Sequence, residues 1–259
     1  MEKSQGNNRI TILGCPVDNL TLEETVKVVE GFIAEGKPRQ YIAINAGKIV
    51  KMNQDPEFRG ILFDSDLNIV DGQPLLWIAR LFGTPVKQRF GGIDIIDAVM
   101  PVSEKKGYGI YFLGGKKEIL DEVVEKYKKM YPALKIAGTR DGYWKAEEEA
   151  GVVKKIKESG ADIIFFAMSS PRKEEFLKKN MIEMGVPFVA GVGGAFDVIS
   201  GRTKRAPVWV QKIGMEWFYR ILQEPGRLWK RYFFSNTLFA WIVIREAARR
   251  FIFKTGKKI

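Results

Sequence analysis

The sequence predicts an α/β fold: a mostly parallel, Rossmann-like sheet flanked by helices, continuing into a basic, aromatic, helical C-terminal appendage. Two observations predict it. Over the first 200 residues, short apolar runs alternate with segments of helical period, and strands separated by helices pair in parallel. Over the last 59 residues the charge changes, with 14 Lys or Arg against three acids, Glu216, Glu224 and Glu246. That segment carries the whole net charge of +11, while the first 200 residues hold 28 basic and 28 acidic side chains. Four of the six tryptophans (Trp209, Trp217, Trp229 and Trp241) fall in it too. The boundary near Gly201-Arg202 divides a body, 1–200, from an appendage, 201–259. A neutral body with a basic aromatic end is built to sit against something anionic, a nucleic acid or a membrane.

Residues 9–13 read as a strand. Thr21 opens a helix and Glu24, three residues on, completes a capping box. Leu22, Val26, Val29 and Ile33 then recur at helical spacing. A strand over 41–44 leads to a helix near 46–53, and a short strand over 67–70 ends at Asp71. The strand at 109–113 is closed by Gly114-Gly115 and followed by a Lys/Glu-rich helix. Apolar runs at 163–167 and 187–190 are further strands. In the appendage, Val210, Ile213, Trp217 and Ile221 share one helical face and Lys212, Glu216 and Arg220 another. Pro225 and Gly226 break that helix, and a second begins around Leu228.

Composition removes several chemistries. The chain has no histidine, which excludes His-based acid–base catalysis, Ser-His-Asp triads and the common zinc sites. Cys15 stands alone before Pro16, so no disulfide framework is expected and the thiol reads as packed core. The opening MEKSQGNN is polar, and no signal peptide is expected from it. The longest uncharged run near the end, 232–244, has 13 residues and includes Ser235, Asn236 and Thr237. A spanning helix needs about 20 apolar residues, so this run is too short to cross a bilayer.

In open α/β sheets ligands collect beyond the carboxyl ends of the strands. Four such ends carry polar or glycine-rich continuations: Asn45, Asp71-Gly72, Ser169-Ser170-Pro171-Arg172, and GVGGAFD at 191–197. Glycine turns let backbone N–H groups approach phosphate. No Walker loop is present, and GVGGAF does not keep dinucleotide spacing. Asp64-Ser65-Asp66 has the form of a metal-holding Asp-x-Asp, but between a helix and a strand the capping reading is favoured. Asp71 has two readings: a base that takes a proton from an attacking hydroxyl, or the N-cap of a helix at Pro74.

Taken together, NIVDGQPLLW (68–77), RFGGID (89–94), SSPRKE (169–174), GVGGAFDVISGRTKRAP (191–207) and GMEWFYRILQEPGRLWKRY (214–232) resemble the bacterial WecG/TagA/CpsF family, glycosyltransferase family 26. The resemblance covers nearly the whole chain. It implies inverting, metal-independent transfer of N-acetylmannosamine from UDP-ManNAc to the N-acetylglucosamine of a polyprenyl (undecaprenyl) diphosphate lipid. That step starts the wall teichoic acid linkage unit. It also implies no cofactor, and peripheral attachment through the appendage to the cytoplasmic face of the bacterial cell membrane. By motif, Asp71 is similar to the general base, and Arg89, Arg220 and Arg227 to arginines that stabilise the leaving diphosphate. Asn45, Gly72, Tyr143, Ser170, Lys173, Gly193, Gly194, Asp197 and Arg205 are the expected substrate contacts, with Asp197 toward uracil or ribose.

The sequence departs from the family pattern at several points: Ala43 for a Thr, Ala46-Gly47-Lys48 for a stretch ending in His, Gly91 for a Thr, Ser169 for a Gly, and Lys173 for a frequent Gln. Two other readings of the appendage stay open here. One is a nucleic-acid-binding protein that uses the basic segment on phosphates. The other is a homo-oligomer interface with the charges at its rim.

Overall fold

The computed structural model describes residues 8–255, without the side chains of 227, 228, 231 and 251–255. Strands β1 (Arg9–Ile12) and β2 (Cys15–Asp18) form an antiparallel hairpin. The expected strand at 9–13 stops one residue early, because Leu13 and Gly14 both take positive φ (50° and 79°) and make a two-residue turn. The hairpin leans on the sheet edge, where Asp18 accepts from the Asn68 N–H at 2.7 Å and from Arg9 at 3.0 Å.

Six strands build the main sheet: β3 (Arg39–Ile44), β4 (Leu67–Val70), β5 (Ile110–Gly114), β6 (Ile136–Arg140), β7 (Ile163–Ala167) and β8 (Phe188–Gly191). Their order is β4-β3-β8-β7-β5-β6, and every pairing is parallel. From the middle, β3 leads out to β4 and β5 leads out to β6. The connections therefore diverge, opening a crevice over the strand ends between them.

Apart from the edge strand β6, which is only partly buried, the strands are buried on both faces, which is why most of them read as apolar runs. On β7, Ile163, Phe165 and Ala167 pack on one side, while Ile164 and Phe166 pack on the other. The first side is covered by α1 (Leu22–Glu35), α5 (Gly92–Lys106), α6 (Lys117–Met130) and α9 (Ala195–Ile199). On the second, α7 (Glu149–Glu158) and α8 (Arg172–Met184) cover one half. The other half is covered by α2 (Ala46–Gln54), α3 (Pro56–Asp64) and α4 (Gln73–Leu81). The capping box at Thr21 forms as expected, with Thr21 N to Glu24 at 2.8 Å and Glu24 N to Thr21 Oγ1 at 3.1 Å. Cys15 is fully buried, and burial pushes its thiol up to about 12, so it stays a packed thiol.

The appendage folds as α10 (Val208–Lys212), α11 (Glu216–Gln223) and α12 (Pro225–Thr255). The single helix expected over 210–221 is thus two. Gly214 takes φ 70° between them, and a Cβ there would lie 2.7 Å from Gln73 Cγ and 2.9 Å from Trp77 Cη2. The break lets this backbone rest on α4. Pro225 opens α12 in place of the expected start near Leu228; proline suits a first helical turn. Phe239 and Ile242 of α12 are buried in the cluster that also holds Leu75 and Ala79 of α4. Arg250 holds this packing, donating to Phe82 O at 3.1 Å with its guanidinium over the Phe82 ring. Among the described residues, no helix is long and apolar enough to cross a membrane.

Candidate active site

Asp71 continues β4 by one residue, with its N–H donating to Ile44 O at 2.7 Å. The helix after it is capped at Gly72 without a side-chain bond, so the N-cap reading of Asp71 fails and its carboxylate is left for the crevice. Residues 90–92 make room for it. Phe90 N donates to Val70 O at 3.1 Å, laying this segment beside β4. A Cβ at Gly91 would stand 2.6 Å from Asp71 Oδ1, and one at Gly92 would stand 2.7 Å from Val192 O. Two adjacent glycines therefore admit the carboxylate and let the start of α5 press on the end of β8.

Asp71 keeps slight solvent access but is crowded by protein, and this burial pushes its carboxyl up to about 7. The carboxylates of Glu216 and Asp94 push the same way, while Arg89 and Lys48 oppose them. A carboxyl that ionises near neutrality is suited to take a proton from a hydroxyl. Glu216 escaped the sequence reading of the site. The signal was available, since it stands one turn before Arg220 on the same stripe.

Arg89 is fixed from two sides, donating through Nε to Gln73 Oε1 at 2.7 Å and through Nη2 to Gln211 O at 3.0 Å. It ties body to appendage. Arg205 pairs with Asp94 at 2.5 Å, and Asp94 also accepts from Gly91 N at 2.8 Å. Arg220 reaches the glycine-rich turn after β8, where its Nη2 lies 2.8 Å from the point a Cβ of Gly194 would occupy. Asp197 Oδ2 is 3.6 Å from that same point. Arg220 Nε is buried with no hydrogen-bond partner among the described residues, a donor left for a ligand. The Arg227 side chain lies outside the described residues.

Deeper in the crevice, Glu174 is fully buried between two ammonium groups, Lys48 at 3.4 Å and Lys173 at 3.5 Å. Burial lowers Lys173 to about 8, and Lys48 adds to the effect. Glu174 stays below the ordinary carboxyl range: burial opposes its ionisation, but Lys48 and Lys173 outweigh it. Lys173 lies across Gly191, whose Cβ would stand 2.7 Å from its Nζ. The cluster keeps one positive charge in excess. Sequence spacing could not reveal it, since Lys48 and Glu174 meet only through folding.

Asn45 serves as the N-cap of α2, accepting from Lys48 N at 3.2 Å, and sits beside Gly72. Gly193 turns the chain with φ 57°. Ser170 is exposed at the end of the loop after β7. Tyr143 is also exposed, beyond β6. Its neighbour Gly142 donates to Gly115 O at 2.8 Å and lies against Gly114, so the loop after β6 folds back over the end of β5. The Asp64-Ser65-Asp66 carboxylates do not converge. Asp66 accepts from Arg39 and from Gln40 N, both at 2.9 Å, and Ser65 is the C-cap of α3.

A carboxyl pushed up to about 7 and a guanidinium on a glycine-rich turn suit an α/β group-transfer enzyme whose leaving group is anionic. Within that class the chain belongs to the glycosyl transferase WecG/TagA/CpsF family, whose pattern matches residues 10–252. It is therefore a glycosyltransferase. One relative, from Bacillus subtilis (strain 168), is 31% identical over 237 residues, covering 91% of each chain. Another, from Bacillus spizizenii, is 34% identical over 178 residues, covering 69% of this chain and 68% of the relative. Both are named N-acetylglucosaminyldiphosphoundecaprenol N-acetyl-beta-D-mannosaminyltransferase.

Proposed function

We propose that this enzyme moves N-acetylmannosamine from UDP-ManNAc to the N-acetylglucosamine of a polyprenyl diphosphate, with inversion, in wall teichoic acid linkage synthesis. The named activity of both relatives supports the acceptor and the sugar. The observation that carries the chemistry is the Asp71 carboxyl, set at the strand end in the room left by Gly91, where burial pushes it up to about 7.

In this reading Asp71 takes the proton of the acceptor hydroxyl as its oxygen bonds to the anomeric carbon. The anomeric carbon–oxygen bond to UDP breaks in the same displacement, and UDP leaves with the electron pair. One base opposite the leaving group gives inversion. The charge growing on the diphosphate falls to Arg220 on the Gly193-Gly194 turn, with Arg89 and Arg227 completing the basic side. Asp197 beside Arg220 faces the nucleoside. The Lys48 and Lys173 ammonium groups beside Glu174 offer hydrogen-bond donors to the hydroxyls of the neutral sugar.

The exposed Trp229, Phe233, Phe234, Leu238, Trp241 and Ile244 of α12, among basic residues, suit the interface of an anionic leaflet. Aliphatic partners at helical spacing favour lipid over nucleic-acid stacking.

The test is transfer from UDP-ManNAc to a short-chain lipid diphosphate N-acetylglucosamine in EDTA, comparing wild type with Asp71→Asn. Activity in EDTA that collapses in the variant is expected. Absence of wild-type transfer sinks the donor or acceptor assignment, and an active variant strips Asp71 of its role.

A further inference from the structure

Helix α4 begins at the site and leads away from it. Its first residue, Gln73, accepts from Arg89, and Trp77 and Leu81 follow at spacing four, so the three lie along one face. Beyond Gln73 that face is half covered at Trp77, 49% exposed, and open at Leu81, 71% exposed. The opposite face, through Leu75 and Ala79, is core. The Gly214 turn rests on Gln73 and Trp77. The same turn follows Ile213, and Trp209 lies one turn earlier on the same face of α10; both are exposed.

Single exposed apolar residues need no explanation. An aligned set with a guanidinium at one end does. From Gln73 to Leu81 the helix rises about 12 Å. The matching ligand is an anionic group that continues into a hydrocarbon chain. The geometry points to the α4–α10 face, Trp77, Leu81, Trp209 and Ile213, as the seat of the first prenyl units of the lipid diphosphate acceptor. This rests on the acceptor proposed above. The face would position the sugar of a membrane-embedded substrate at Asp71 by holding its chain at a fixed distance from the site.

The experiment uses the full chain without vesicles or detergent. Two soluble diphosphate N-acetylglucosamine acceptors are compared, one ending in a methyl group and one in a short prenyl chain. Wild type is expected to show a KM about tenfold lower for the prenyl acceptor, since burying a few methylenes suffices. Leu81→Glu and Trp77→Ser are expected to bring the ratio toward one, Leu81→Glu with an unchanged Tm. A prenyl diphosphate carrying a photoreactive group next to its diphosphate should label peptides of α4 or α10. An equal ratio in wild type, a ratio untouched by Leu81→Glu, or labelling elsewhere overturns the inference. A Leu81→Glu effect seen only with vesicles also overturns it and gives the face to the bilayer. No transfer to either acceptor sinks the acceptor assignment, and this inference with it.

Discussion

Arg220 of α11 lies against Gly194 of the body, its Nη2 2.8 Å from where a Cβ would stand. This contact between α11 and the body thus depends on the absence of a side chain 26 positions earlier. Gly194→Val should push the guanidinium off the turn and lower kcat on the order of a hundredfold, as loss of one charge-stabilising donor does. Arg220→Ala should match it, and the double variant should be no worse than either single. Additive losses in steady-state kinetics would show that the two act separately.

As the proposed base, Asp71 should set a pH dependence. Its carboxyl must be ionised to accept a proton, so kcat/KM should rise with pH through about 7 and level off above. The stability effect has the opposite sign. A carboxyl raised from 3.8 to about 7 binds its proton more tightly folded than unfolded, so stability is fullest at low pH and falls as pH rises through 7. Asp71→Asn should then raise the Tm at pH 8, by up to a few kcal/mol in free energy, while removing activity. A lower Tm at that pH would contradict the assignment.

Gly91 leaves the space Asp71 uses. In Gly91→Ala the new Cβ would fall 2.6 Å from Oδ1, so the carboxylate must turn. We expect reduced kcat with a displaced pH midpoint and little change in donor KM. An unchanged pH–rate profile would mean that the carboxylate has free room elsewhere.

The Lys48–Glu174–Lys173 cluster is a buried charge set in which one carboxylate serves two ammonium groups. Glu174→Ala leaves both ammonium groups unpaired and should destabilise the fold by about 3–5 kcal/mol. Lys173→Gln keeps the Lys48–Glu174 pair and should cost far less stability while raising the donor KM. Urea unfolding and donor titration separate the two outcomes. Equal destabilisation would make the cluster purely structural.

The sequence determined the local facts. The apolar run at 163–167 is a strand because burial on both faces demands continuous apolar chain, and β4 and β7 both match their expected bounds. The Thr21–Glu24 cap, the position of Asp71 at a strand end and the segregation of charge after residue 200 needed no partner to be seen. Tertiary structure decided the rest. Gly214 splits the expected appendage helix because its backbone rests on α4, a contact across about 140 positions. Glu216 joins Asp71, and Lys48 joins Lys173, only when distant elements meet. The ionisation of Asp71 near 7 also belongs to the assembled crevice, because desolvation and neighbouring charge are properties of a surrounding volume and not of a residue's neighbours along the chain.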